Sequence, residues 1–179
     1  MTERPHDNIT AQLRNAAEGL LRGGEVALVV GYEDETAPRP TVIRSPEDAV
    51  RLVFNERCVH NLAVYAARPE FRGVGKIGVV AKGCDARALV MLMNERQIER
   101  NNLHILGVRC EGVVSASGEK PEKCLRCDVH IPSLFDTLVG SREGLPSPSG
   151  GPPDYERLQQ MSREERWEFW SEWMQRCIR

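Results

Sequence analysis

The sequence predicts an α/β fold, with a mainly parallel sheet, flanking helices and a linker-tethered carboxyl-terminal helix. Two apolar runs, KIGVVA at 76–81 and LHILGV at 103–108, are of the continuous β-rich type that is buried on both faces of a parallel sheet. Between them, residues 88–99 have helical periodicity, as expected for a crossover between parallel strands. Glycine, proline and serine dominate from Gly140 to Pro153, which separates the last predicted helix from this fold.

The chain is expected to begin with a helix followed by a strand. Residues 8–22 place apolar side chains on one helical face, and Gly23 and Gly24 end the helix with backbone conformations that glycine adopts readily. The apolar face consists of Ile9, Leu13, Ala16, Ala17, Leu20 and Leu21. An apolar strand follows at 25–32, and the polar, proline-rich residues 33–40 are predicted to turn the chain.

A second strand and two further helices are predicted before the parallel strands. Residues 41–44 form a short strand. Ser45 is the expected N-cap, and Pro46 the first residue, of a helix that runs to Phe54. Residues 60–68 are a further helical segment, which ends at the residue before a proline.

The composition and charge argue against nucleic-acid-binding and membrane-spanning proteins. The chain has 179 residues and a formal net charge of −2, with acidic and basic side chains interspersed. This pattern lacks the basic stripe that neutralises phosphates, so no nucleic-acid partner is expected. The amino-terminal residues are polar and no apolar run reaches the length of a membrane span. The sequence therefore predicts a soluble, cytoplasmic protein without a membrane span.

The six cysteines are interpreted chiefly as metal ligands or redox thiols, because a reducing cytosol disfavours disulfides. Cys84 and Cys110 each follow a predicted parallel strand, and the carboxyl ends of such strands meet at one edge of a sheet. Cys124 and Cys127 add a C-x-x-C pair, whose spacing lets both sulfurs face one metal. Four sulfurs complete the ligand set of a tetrahedral zinc or a four-iron cluster. Cys58, expected inside a helix, is interpreted as a buried, inert thiol.

Several neighbouring residues favour a cluster over zinc without excluding zinc. Cys84 opens a helix whose backbone N–H groups favour anionic sulfur, and Gly83 and Gly112 allow close approach of the backbone. The cations expected to offset the charge of a cluster are Arg87, Arg109 and Arg126. Asp85 and Asp128 each follow a proposed ligand, where a carboxylate tunes the site or, at Asp85, caps the helix.

Other interpretations of these residues stay open. The first is a zinc-stabilised or metal-free interaction domain, and the second is a redox module in which Cys124 and Cys127 cycle between dithiol and disulfide. His60 and His104 lie in no metal-ligand spacing. His130 follows Cys127 by three residues in the sequence and is the alternative ligand.

At these residues the chain resembles the carboxyl-terminal domain of the beta-subunit family of coenzyme-F-420-reducing hydrogenases and related formate dehydrogenases. The matching segments are VVAKGCDARAL, LHILGVRCEGVVS and CLRCDVHIPSLFDTLVGS, in an order that agrees over residues 75–141. The resemblance implies that Cys84, Cys110, Cys124 and Cys127 hold one [4Fe-4S] cluster. It further implies an electron-transfer component of an oxidoreductase, rather than a complete enzyme, with partner subunits of the hydrogenase, formate dehydrogenase or heterodisulfide-reductase-like type.

The resemblance also implies flavin chemistry, with FAD as the cofactor. The chain departs from the family at Lys82 and Gly83, where relatives often have a proline before the cysteine. It departs again after Gly140, where relatives continue into more of the flavin-binding domain, so FAD binding by this chain is left open. The last helix resembles a segment that precedes ferredoxin-type motifs in longer relatives. Cys177 would then be the first ligand of a second cluster, and the chain a fragment.

In domain terms the sequence predicts an α/β iron–sulfur-binding domain at 1–140, a linker at 141–153 and an amphipathic helix at 154–179. Ser162 is the expected N-cap in the last segment. An apolar patch on that helix, expected to pack on this domain or on a partner, consists of Trp167, Trp170, Trp173, Phe169 and Met174.

Overall fold

The chain folds into the α/β architecture that its apolar runs predict. The structure is a computed structural model, and the residues that it describes are 5–115, 117–147 and 153–177. The strands are β1 (Leu28–Glu33), β2 (Arg39–Ile43), β3 (Ile77–Ala81), β4 (Leu103–Val108) and β5 (Thr137–Val139). The α-helices are α1 (Pro5–Arg22), α2 (Ala63–Ala66), α3 (Gly83–Asn94), α4 (Glu122–Leu125), α5 (Pro153–Gln160) and α6 (Arg163–Cys177). Short 3₁₀ turns cover Pro46–Arg51, Pro69–Phe71 and Arg100–Asn102.

The five strands form one sheet in the order β2-β1-β3-β4-β5. β1, β3, β4 and β5 are parallel, and β2 pairs with β1 as an antiparallel edge strand. The predicted fold class is therefore confirmed. Every residue of β3 and β4 is buried, and Ala81 lies opposite Gly107 in the register. Because the two strands end side by side, the segments that follow them leave the sheet at the same edge.

Helix α1 covers part of the sheet with the apolar face that its periodicity predicts. It packs against β4, β5 and the 3₁₀ turn Pro46–Arg51. The buried members of the face are Ile9, Leu13, Ala17, Leu20 and Leu21. The helix ends as predicted, because Gly24 has a φ of +66° and Gly23 donates its N–H to Gly19 O over 2.9 Å.

The two helices predicted between β2 and β3 are shorter than expected. Pro46 does begin a helical turn, but it is a 3₁₀ turn that ends at Arg51, and Ser45 makes no side-chain cap bond. Val53 donates its N–H to Tyr32 O over 2.9 Å, so this part of the chain runs extended along β1. Pairing with the sheet therefore prevails over helical periodicity. Of the segment 60–68, only α2 is an α-helix.

The chain divides into two compact units, Met1–Ser147 and Pro148–Arg179. In the second unit, Ser162 is the N-cap that the sequence predicts: its Oγ accepts the N–H of Glu165 over 3.2 Å, and the Glu165 carboxylate accepts the N–H of Ser162 over 2.7 Å. The predicted domain limits remain a prediction. Residues 148–152 of the predicted linker and the side chain of Cys177 lie outside the described part of the chain.

The tryptophans of α6 have exposed side chains, at 69% for Trp167, 51% for Trp170 and 52% for Trp173. Within the described ranges, no helix is long and apolar enough to cross a membrane.

Candidate functional site

Three chain segments that carry cysteines come together at the carboxyl edge of the sheet. Cys84 is the second residue of α3, directly after β3, and Cys110 follows β4. The third segment contains Cys124 and Cys127. It is joined to the second by a bond of 2.9 Å from the Cys110 N–H to His130 O. We call these four cysteines the cysteine site.

Two glycines allow the C-x-x-C segment to approach both strand ends. A Cβ atom at Gly83 would lie 2.7 Å from Val129 Cγ1 and also against the main chain of Val129. Gly112 has a φ of +100°, and a Cβ atom there would lie 3.3 Å from Cys124 Cβ. Both positions thus need a residue without a side chain, which explains the glycines that sequence analysis singled out beside the cysteines.

The C-x-x-C pair sits on a single helical turn. Cys124 lies in α4, where its N–H donates to Pro121 O over 2.8 Å, and the N–H of Cys127 donates to Cys124 O over 3.3 Å. The Cys127 thiol lies 3.7 Å from Val129 O. Val129 also packs on Gly83, so this turn connects Cys127 to the beginning of α3.

The thiols of the cysteine site influence one another electrostatically. Burial raises the pKa of Cys110 to about 11; the Gly112 N–H and the Lys82 ammonium lower it, and the Cys84 and Cys124 thiolates raise it further. Burial also raises the pKa of Cys84. Electrostatic effects weaken with distance, so three of the four thiols share one neighbourhood. The raised pKa values of Cys84 and Cys110 favour the protonated thiol at neutral pH when no further cation is present.

The donor set fits a group that is bound through sulfur. The described cysteines are all free thiols, and in the described residues no three or more His, Cys, Asp or Glu side chains are arranged to hold a metal ion. Four thiols on three converging segments, with glycines where the segments touch, nevertheless supply the ligand number of a tetrahedral zinc or a four-iron cluster. Metal coordination would deprotonate them.

A buried lysine two residues before Cys84 was missed by sequence reasoning. Lys82 is only 2% exposed. Its Nζ donates to Asp85 Oδ2 over 3.0 Å, to His60 O over 2.8 Å and to the Tyr32 hydroxyl. We call Tyr32, His60, Lys82 and Asp85 the Lys82 cluster. Its only local signal is a lysine between a buried strand and Cys84, where a long charged side chain is unusual.

Asp85 caps the amino terminus of α3, which is one of the two roles predicted for it. Its Oδ2 accepts the backbone N–H of Lys82 over 3.0 Å. Burial raises the pKa of Asp85, although the Lys82 ammonium and N–H act in the opposite direction. The Cys84 thiol lies 3.8 Å from Asp85 Oδ1, so this carboxylate also touches the cysteine site.

The three predicted arginines each pair with a carboxylate of this chain. The pairs are Arg87 with Asp128 (3.6 Å), Arg109 with Glu111 (2.5 Å) and Arg126 with Glu122. Arg109 also donates to main-chain oxygens of residues 141–144 and holds that segment beside β4. Their expected effect on the charge of a cluster remains a prediction.

The histidines separate into one candidate ligand and two residues with other contacts. His130 is buried, and its Nδ1 donates to Cys110 O over 2.8 Å. Its Nε2 is buried and has no hydrogen-bond partner within the described ranges. His104 lies in β4, as predicted, with Nε2 2.9 Å from Thr137 Oγ1. His60 contributes its carbonyl oxygen to the Lys82 cluster.

Cys58 is buried as expected, but it lies in a turn and not in the predicted helix. Its Sγ accepts the N–H of Asn55 over 3.4 Å, and burial raises its pKa to about 11. The helix prediction was wrong because the side chain of Asn55 accepts the N–H of Arg57 over 2.8 Å, a local bond that competes with helical pairing.

Comparison with known proteins finds a similar curated protein and a similar solved structure. No known family profile matches the chain. A curated relative, the F420-dependent formate dehydrogenase 1 subunit beta of Methanococcus maripaludis, is 29% identical to this chain over 106 residues. The match covers 59% of this chain and 27% of the relative, so the chain spans about a quarter of the relative's length.

A solved structure has a similar fold. A chain of the F420-reducing [NiFe] hydrogenase complex from Methanosarcina barkeri superposes with a TM-score of 0.50 at 16% identity, covering 62% of this chain and 43% of that chain. At this identity the likeness concerns the fold alone. The curated relative confirms the resemblance to the beta-subunit family that the cysteine-bearing segments predict, and the solved structure agrees with the α/β fold.

Proposed function

We propose that this chain is an iron–sulfur electron-transfer subunit, or a part of one, in a larger oxidoreductase complex. Cys84, Cys110, Cys124 and Cys127 would hold one [4Fe-4S] cluster. The observation that carries the proposal is the convergence of three cysteine-bearing segments at the carboxyl edge of the sheet. The names of the two similar proteins support partners of the hydrogenase or formate dehydrogenase type. Partners of the heterodisulfide-reductase-like type rest on the family resemblance.

The protein's own residues would provide the surroundings of the cluster. When bound, the cluster supplies one-electron transfer. The amino terminus of α3 directs N–H groups and the positive end of its dipole toward the Cys84 sulfur, which favours its anionic form. Gly83 and Gly112 let the main chain close around the sulfurs. Asp85 holds the first turn of α3. No residue of this chain is assigned a role as proton donor or nucleophile. FAD is assigned no residues either.

The metal content of anaerobically purified protein tests the proposal. About four irons and four acid-labile sulfides per chain, with broad visible absorption, are expected from a cubane cluster. Cys84→Ala should lower the iron content and bleach the absorption. Cys58→Ala, which alters a buried thiol outside the cysteine site, is the matched control and should keep both. Wild-type protein with zinc and without iron would refute the proposal.

One observation favours a second candidate, a structural zinc site in an interaction domain. A carbonyl oxygen only accepts, so the bond from His130 Nδ1 to Cys110 O leaves a neutral His130 with a lone pair on Nε2. Histidine ligands commonly donate their other ring nitrogen to a carbonyl in this way. His130 with three cysteines would make a tetrahedral zinc set. In that case His130→Gln lowers zinc content, and the protein is colourless.

A further inference from the structure

The Lys82 cluster holds a buried positive charge that is joined to the cysteine site through Asp85. The ammonium group has three N–H donors, and it has one acceptor for each: Asp85 Oδ2 at 3.0 Å, His60 O at 2.8 Å and the Tyr32 hydroxyl. Tyr32 is itself fully buried and donates its hydroxyl to His60 O. Because all its donors are satisfied, the ammonium is held in one position between β1, the loop at His60 and α3.

A lysine in this position is costly for stability alone. Burying an ammonium group costs free energy even when it is paired, and apolar replacements of buried ion pairs are often neutral or stabilising. The cluster lies against the functional groups: Asp85 Oδ1 is 3.8 Å from the Cys84 thiol. The Lys82 Nζ lies 3.0 Å from the other oxygen of the same carboxylate, Asp85 Oδ2, so one side chain separates the ammonium group from the Cys84 sulfur.

We propose that Lys82 is a positioning residue whose buried charge raises the reduction potential of the group held by Cys84 and Cys110. This inference rests on the proposed iron–sulfur function. Reduction adds one electron, and therefore one negative charge, to a cluster already ligated by thiolates. A fixed cation nearby stabilises the reduced form more than the oxidised form. Asp85 acts in the opposite direction, since its carboxylate faces the Cys84 sulfur.

The opposite signs of Lys82 and Asp85 give the proposal a test that a purely structural role would not pass. Lys82→Met, Asp85→Asn and the control Lys123→Met are purified without oxygen as full chains, and their iron and sulfide are measured. Lys123 is an exposed cation next to Cys124 in the sequence, and it has no assigned role at the cysteine site. Midpoint potentials are then obtained by redox titration monitored by electron paramagnetic resonance.

Lys82→Met should lower the ratio of reduced to oxidised cluster at fixed ambient potential by roughly tenfold, which is about 59 mV for a one-electron couple. Asp85→Asn should raise the midpoint potential. Lys123→Met should shift it less than either, because solvent screens an exposed charge.

The proposal would be overturned if iron-loaded Lys82→Met and Asp85→Asn kept the wild-type potential. Shifts of both potentials in the same direction would overturn it as well. Loss of iron from both variants, but not from Lys123→Met, would assign Lys82 and Asp85 a structural role and would also overturn the proposal. If Lys82→Met alone fails to fold, the sign of the Asp85→Asn shift decides. Failure of the proposed function is a different result, because the wild-type chain would then lack iron.

Discussion

Cys110 connects the sheet to the C-x-x-C segment through both of its backbone groups. Its N–H donates to His130 O over 2.9 Å, and its carbonyl accepts from His130 Nδ1 over 2.8 Å. Burial raises the pKa of the Cys110 thiol to about 11, so the protein alone disfavours the thiolate. Coordination to a metal cation is the change that would ionise such a thiol at neutral pH. The main chain of Cys110 is therefore fixed by two hydrogen bonds to His130.

Asp136, which is not a member of the cysteine site, should make stability depend on pH. Its carboxylate accepts the Ile105 N–H over 2.7 Å and pairs with Arg100 over 2.6 Å. Burial acts to raise the pKa of Asp136, but the bonds from Arg100 and Ile105 outweigh it and lower the pKa. A carboxyl with a lowered folded-state pKa stabilises the fold above its unfolded pKa of about 3.9, and loses that effect as pH falls through the folded value.

Asp136→Asn should therefore reduce the free energy of unfolding by about 1–3 kcal/mol at neutral pH, measured by urea denaturation. The difference between wild type and variant should shrink in acid, once both carry a neutral side chain. Glu70→Gln, at an exposed residue, is the control and should leave stability nearly unchanged. A difference that stays constant down to acidic pH would mean that the charge of Asp136 contributes nothing.

Among single residues, those whose position relative to a strand is visible in the sequence were predicted correctly. Cys84 and Cys110 follow apolar strands, and the structure places both at the same edge of the sheet. The acceptors of Lys82 are distant in sequence: Tyr32 is 50 residues away and His60 is 22. No periodicity connects such residues, so the Lys82 cluster becomes visible only once β1 and β3 are paired.

At the scale of elements, α3 depends on a contact at its first residue. A Cβ atom at Gly83 would lie 2.7 Å from Val129 Cγ1 and against the Val129 main chain. Gly83→Ala should therefore displace the C-x-x-C segment and lower the free energy of unfolding by about 1–3 kcal/mol, as overpacking does. Iron uptake should fall as well, because Cys127 is held through Val129. Chemical denaturation and iron analysis measure the two effects.

The matched control for Gly83→Ala is Gly19→Ala in α1, where an added Cβ would have nothing within 4 Å. Alanine is the better helix former, so this variant should gain about 0.4–1 kcal/mol. Equal behaviour of the two variants would show that the contact between Gly83 and Val129 is not rigid.

The elements differ in how far their sequences determine them. β4 forms at the predicted residues because a continuous apolar run buried on both faces has no other compatible position. β5 was not predicted, since its three residues are too few for a pattern and it forms by pairing with β4. The predicted helix at 45–54 is instead a 3₁₀ turn and an extended segment, because Val53 bonds to Tyr32 in β1. Pairing with other strands therefore determines the conformation of the short elements.

At the scale of the whole molecule, the two units carry different spectroscopic probes. All three tryptophans lie in α6, whereas the cysteine site lies in the first unit. If the domain division holds, tryptophan emission and the visible absorption of a bound cluster should follow separate transitions in urea. Two-state unfolding of a single domain would make them coincide. The emission should change first, because helices of this length with mostly exposed side chains are marginally stable in water.

A chain ending at Ser147 provides the decisive comparison for that prediction. It keeps the whole sheet, α1, α3 and all members of both the cysteine site and the Lys82 cluster. Its iron content should equal that of the full chain. Its unfolding midpoint in urea should equal the midpoint at which the full chain loses its cluster absorption. Loss of iron on truncation, or a single shared transition in the full chain, would mean that α5 and α6 belong to the cooperative unit that holds the cysteines, and the predicted boundary after residue 140 would be wrong.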